Sequence, residues 1–216
     1  MKLYLVRHAQ SLRNEGKEHD KLSETGIEQS KRLGLFLKDK HIDYIYCSEY
    51  GRTKETLNNI LKYIKIKKQN IKIKGTINEQ EQGVFKEKAE KEYFFHILEL
   101  KDKGVDLYNY KPGGTGESFF DVEKRAQEFL DFLKKNHKEN DHVLMISHGM
   151  FLRFFILRLL KLPNSEGRYF TIHNASLSDF ELDKDFNVID FEIDEFKHLL
   201  KYSSYKRADK KGLGLV

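Results

Sequence analysis

The 216-residue sequence has a single cysteine, Cys47, and no cysteine–histidine cluster at zinc-ligand spacing. One cysteine excludes an internal disulfide, and a chain of this length can bury a core without staples or a structural metal. A reducing compartment is expected. Long apolar runs are missing too. The most apolar stretch, residues 150–160, is too short to cross a bilayer and carries Arg153 and Arg158. It reads as a buried helix. The first residues reach Lys2 and Arg7 before a signal-peptide core could form. The expected location is cytoplasmic, with no membrane partner.

Nor does one sign of charge dominate. Against 39 basic residues stand 34 acidic ones, for a net charge of +5. Most of that excess lies in residues 201–216, where Lys201, Lys206, Arg207, Lys210 and Lys211 face only Asp209. The body is nearly neutral, so nucleic acid is not an expected partner of the fold. Six lysines without an acid between positions 62 and 74 read as a solvated face. A hydrophobic share of 39% sets the chain apart from disordered, collagen-like and low-complexity classes.

Short apolar runs at 2–6, 42–47, 71–73, 142–147, 177–182 and 188–193 predict strands. Helical spacing follows Ser23, spans 53–64, and recurs from 117 onward through Phe119, Val122, Ala126, Phe129, Leu130 and Leu133. The alternation predicts a three-layer α/β/α fold with a mostly parallel central sheet. The rhythm breaks at about 78–116, where a charged helix and a Pro112-Gly113-Gly114 turn suggest a helical cap insertion. The expected organisation is one domain over 1–200 with that cap, followed by a basic tail at 201–216.

In such folds chemistry gathers beyond the carboxyl ends of the strands. Three strand ends carry reactive residues there: Arg7-His8 with Asn14 nearby, Ser48 to Arg52, and Ser147-His148-Gly149. Each alone reads as a surface turn or a satisfied core histidine. Together, two arginines and two histidines at one sheet edge repel one another unless an anion sits among them. A phosphoryl group suits arginine forks, and helix starts near Arg52 and after Gly149 add amide donors.

With these residues the chain resembles the histidine phosphatase superfamily, in its phosphoglycerate-mutase-like branch. The similarity rests on Leu-Val-Arg7-His8-Ala-Gln-Ser-Leu-Arg-Asn14, Leu22-Ser23-Glu-Thr-Gly26, Ser48-Glu-Tyr-Gly-Arg52-Thr-Lys-Glu-Thr56, Ile77-Asn-Glu79-Gln-Glu-Gln-Gly83, Gly116-Glu117-Ser118 and Ser147-His148-Gly149. The resemblance implies that His8 is the phosphorylated nucleophile. It places Arg7, Arg52 and His148 in the phosphate pocket, with Asn14 and Gly149 contributing to binding. Glu79 takes the place of the proton donor, with Glu81 as the fallback. No metal or cofactor is implied.

Two departures stand out: Ala9 replaces a glycine usual in the family, and Val84-Phe85-Lys86-Glu87 replaces Trp-Glu-Gly. The expected activity is a metal-independent phosphatase for a small phosphorylated metabolite. The alternatives are a cofactor-dependent phosphoglycerate mutase and a catalytically weak phospho-ligand-binding protein. The sequence leaves a homodimer open.

Overall fold

In a computed structural model, which describes residues 1–16, 20–86, 88, 90–164 and 171–199, strands and helices alternate as expected. The basic tail at 201–216 and Glu87 lie outside the described residues. The elements run β1 (Lys2–Arg7), α1 (Glu24–Leu37), β2 (Tyr44–Cys47), α2 (Gly51–Ile60), β3 (Ile71–Ile73), α3 (Glu90–Asp102), α4 (Phe119–Asn136), β4 (His142–Ser147), α5 (Gly149–Leu159), β5 (Leu177–Leu182) and β6 (Val188–Glu195). One six-stranded sheet has the order β3-β2-β4-β1-β5-β6. Its first four strands are parallel; β5 and β6 are antiparallel.

Period-two alternation divides the core between the two sheet faces. Leu3 and Leu5 of β1, with Val143 and Met145 of β4, pack against Phe129 and Leu133 of α4 and Phe151 and Phe155 of α5. Their neighbours Tyr4, Val6, Leu144 and Ile146 turn to the other face, against Leu33 and Leu37 of α1 and Leu57 and Ile60 of α2. The apolar stretch at 150–160 is thus a buried helix. Among the described residues, no helix is long and apolar enough to cross a membrane. Cys47 is buried, and that burial pushes its thiol up to about 12.

Helix starts are set by side-chain caps. Ser23 accepts from the Gly26 amide ahead of α1, and Ser118 and Asp121 form a reciprocal capping box on α4. α2 starts at Gly51, two residues before the predicted Thr53, because Asp20 accepts the Gly51 amide at 2.5 Å. It ends at Ile60, four residues early; Ile64 is buried outside the helix. The 78–116 segment carries α3 and short 3-10 turns at Gly83–Phe85 and Pro112–Gly114. In the lysine-rich stretch, Lys62, Lys65, Lys67, Lys68 and Lys72 are exposed.

Candidate active site

Register brings the site together. Arg7 pairs with Ser147 at the ends of the parallel strands β1 and β4, and the His8 amide donates to the Ser147 carbonyl at 2.9 Å. His8 and His148 therefore leave the sheet side by side, with ring centroids 5.1 Å apart. Between them stands Arg52 from the first turn of α2. Its Nε donates to His8 Nε2 at 3.2 Å and its Nη2 to His148 Nδ1 at 3.0 Å. Its Nη1 pairs with Asp20 at 2.5 Å. The Tyr50 ring covers Arg52 and meets His148 edge-on.

A guanidinium only donates, so both facing imidazole nitrogens are acceptors, which fixes the tautomers. In His8, Nδ1 carries the proton and donates to the Ala9 carbonyl at 2.8 Å. In His148, Nε2 carries it and donates to Ser48 Oγ at 2.7 Å; Ser48 passes its own proton to Asn78 Oδ1, also at 2.7 Å. Both rings are buried. Burial first, and then the Arg52 charge, holds both well below the ordinary histidine value. His8 thus presents a neutral, unprotonated Nε2 to the pocket.

The other residues singled out in the sequence gather around this pair. Arg7 donates to the Ile172 carbonyl at 2.8 Å, and its guanidinium lies against Gly149, where a Cβ would sit 3.4 Å from its Cζ. Asn14 shapes the loop after His8, accepting from the Ser11 amide and hydroxyl. Glu79 accepts from the Met150 and Phe151 amides at the start of α5, next to His148. Glu81 turns elsewhere, pairing with Lys86 at 3.0 Å.

The loop carrying Glu79 is clamped from α4. Arg125 donates to both carboxylate oxygens of Glu117 at 2.7 Å, and to the carbonyls of Thr76 and Asn78 at 2.7 and 3.1 Å. Glu117 in turn accepts the Glu81 amide at 2.9 Å. Gly116 permits this closeness, since a Cβ there would lie 2.6 Å from the Glu81 carbonyl. Gly26 is as constrained: its Cβ would fall 1.9 Å from the carbonyl of Gln10 in the loop after His8. The Pro112-to-Ser118 stretch is a turn, as expected at Pro112-Gly113-Gly114, followed by the Ser118 cap of α4.

Sequence reasoning gave no role to Asp20, Ser48, Asn78 or Arg125. Ser48 and Asn78 lay inside the matching motifs next to reactive residues, which was a usable signal. Ala9 is accommodated without backbone strain: its φ is not positive, it is fully buried, and its amide donates to Thr56 Oγ1 at 3.1 Å.

Two buried neutral imidazoles flanked by guanidiniums, at a helix start and the carboxyl edge of a parallel sheet, define an α/β enzyme that handles phosphoryl groups. The chain belongs to the histidine phosphatase superfamily (branch 1), which matches residues 3–194. It is 30% identical over 194 residues to phosphoserine phosphatase 1 of Hydrogenobacter thermophilus, covering 88% of this chain and 90% of that one. It is 27% identical over 189 residues to a protein of Erwinia tasmaniensis named Probable phosphoglycerate mutase GpmB, covering 82% and 83%. The α-ribazole phosphatase of Shigella flexneri shares the fold with a TM-score of 0.74, 22% identity and coverage of 90% and 96%. The family implies phosphorylated small-molecule substrates.

Proposed function

We propose that the protein hydrolyses small phosphate monoesters through a phosphohistidine on His8, without a metal. The carrying observation is the His8 ring, whose Nδ1 is spent on the Ala9 carbonyl and whose unprotonated Nε2 faces Arg52. An incoming phosphoryl group takes over the Arg52 donors, while Arg7 and the amides at the α5 start offer further positive potential. His8 Nε2 forms the N–P bond as the ester P–O bond breaks, and the departing oxygen takes a proton from Glu79. Water then attacks phosphorus and returns a proton to Glu79, the N–P bond breaks, and inorganic phosphate leaves. A dianion between the rings favours protonation of His148, whose Nδ1 then donates to a phosphoryl oxygen. In this reading the 78–116 segment is the cap that selects the ester.

Phosphate release from a panel of esters, in chelator, compares the chain with His8→Ala. Metal-independent release that vanishes in the variant, with acid-labile phosphate on the quenched wild-type chain, is the expected result. Release that survives His8→Ala, or that chelator stops, overturns the mechanism. The relative from Erwinia tasmaniensis supports a second reading, phosphoglycerate mutase, in which phospho-His8 returns its group to the bound intermediate. Exchange between 2- and 3-phosphoglycerate without net phosphate release is its signature.

A further inference from the structure

Behind Arg7 and His8 the pocket is walled by the segment 172–175. Its Ile172 carbonyl accepts from Arg7 Nη1 at 2.8 Å. The Asn174 side-chain amide and the Ala175 main-chain amide both donate to the His8 carbonyl, at 3.0 and 3.2 Å. Ala175 also donates to the Arg7 carbonyl at 3.0 Å. One short segment thus holds the Arg7 guanidinium and the backbone of the proposed nucleophile. It precedes β5, which begins only at Leu177, so its position depends on what is packed behind it.

That backing comes from β6. Asp194 turns both carboxylate oxygens on residue 173: one accepts the His173 amide at 2.7 Å, the other the ring at Nδ1. A carboxylate only accepts, so Nδ1 carries the proton. The Asp194 side chain is 13% exposed, which strengthens such charge-assisted bonds relative to the open surface. Its backbone is unusual as well. Leu177 pairs with Glu195 and Asp179 with Glu192, so Ile193 and Asp194 together face Ser178 in a bulge. There Asp194 has a φ of 63°, which glycine adopts without cost and aspartate or asparagine only occasionally. A glycine would fill this backbone position without strain but could not reach residue 173.

We propose that Asp194 is a positioning residue for phosphoryl transfer: through residue 173 it fixes the 172–175 wall, and through that wall the Arg7 guanidinium and the His8 backbone. The proposal deepens the phosphohistidine reading and rests on it for the roles of Arg7 and His8. Transfer to a fixed nucleophile tolerates little misplacement, and about 1 Å can cost 10²-fold in rate.

Three substitutions separate positioning from stability. Asp194→Gly removes the carboxylate and relaxes the backbone; Asp194→Ala removes it and keeps the strained φ. Asp194→Asn tolerates the same φ and keeps both bonds, its oxygen accepting the His173 amide and its NH2 donating to a ring whose proton has moved to Nε2. In thermal melts Asp194→Gly is expected above Asp194→Ala by roughly 2–8 °C. In kcat/KM the two fall alike, by about 10- to 100-fold. Alkyl and p-nitrophenyl phosphates lose equally, because the wall serves the nucleophile and not the leaving oxygen. Asp194→Asn recovers most of the loss. Activity that follows Tm, with Asp194→Gly near wild type and Asp194→Ala low, overturns the proposal. So does an Asp194→Asn chain as slow as Asp194→Gly.

Calorimetric binding of inorganic phosphate repeats the comparison without turnover. Phosphate is expected to bind Asp194→Gly about 10-fold more weakly than wild type, because Arg7 loses its fixed aim, and to bind Asp194→Asn nearly as well as wild type. If hydrolysis survives His8→Ala, the phosphohistidine reading fails, while phosphate affinity still decides the role of Asp194. Equal affinity in wild type and Asp194→Gly overturns that role.

Discussion

Removing the Arg125 clamp separates the stability of the Glu79 loop from its chemistry. In Arg125→Met, Glu117 loses its partner, and the carbonyls of Thr76 and Asn78 lose their donor. Breaking a fully buried pair costs about 3–5 kcal/mol. Here the Arg125 and Glu117 side chains retain 19% and 25% exposure, which brings the expected loss to roughly 3 kcal/mol. For a domain of this size that lowers Tm by roughly 6–12 °C. A displacement of the loop by about 1 Å can cost 10²-fold in rate. Because Glu79 is proposed to protonate the leaving oxygen, the rate loss should fall on alkyl esters and largely spare p-nitrophenyl phosphate, whose leaving group needs no proton. The assay pairs thermal melts with kcat for both ester types. An unchanged Tm refutes the clamp, and equal losses on both esters refute its link to Glu79.

Three further outcomes follow from the same geometry. Ser48→Ala strips His148 Nε2 of its acceptor and Asn78 Oδ1 of a donor; the cost of about 1–3 kcal/mol should appear in the urea midpoint together with a fall in kcat. His8 and His148 are held neutral when folded, whereas their unfolded rings take up protons below about 6.5. Stability from these rings is therefore complete above that pH and is lost as pH falls toward their folded values, by about 1 kcal/mol per pH unit for each ring; urea midpoints at pH 7.5 and 5.5 measure it, and His8→Asn should flatten the slope. Gly26→Ala drives a methyl into the Gln10 carbonyl, and is expected to cost about 1–3 kcal/mol in a thermal melt and to slow catalysis by moving the loop after His8.

The sheet was legible because its signal is local. Alternating apolar residues in 2–7 and 142–147 divide between the two helix layers as period two requires, and Ser23 and Ser118 mark helix starts through bonds only three residues long. Arg7, His8, Arg52, His148 and Glu79 were readable for a related reason, since each sits in a short motif at the end or start of an element. Element ends were less legible: α2 starts where Asp20, 31 residues upstream, receives the Gly51 amide.

The tautomers and partners of those site residues were decided by tertiary structure alone. The Nε2 of His8 faces the pocket because Arg52 approaches from 44 residues away, and His148 is oriented by Ser48, 100 residues earlier. Arg125 looks like any basic residue of an amphipathic helix until α4 packs beside the Glu79 loop. The sequence by itself determined which groups reach the carboxyl edge of the sheet, because motif and periodicity are written in neighbouring residues. Which nitrogen carries the proton depends on directional hydrogen bonds and burial between segments far apart in the chain; only packing supplies these.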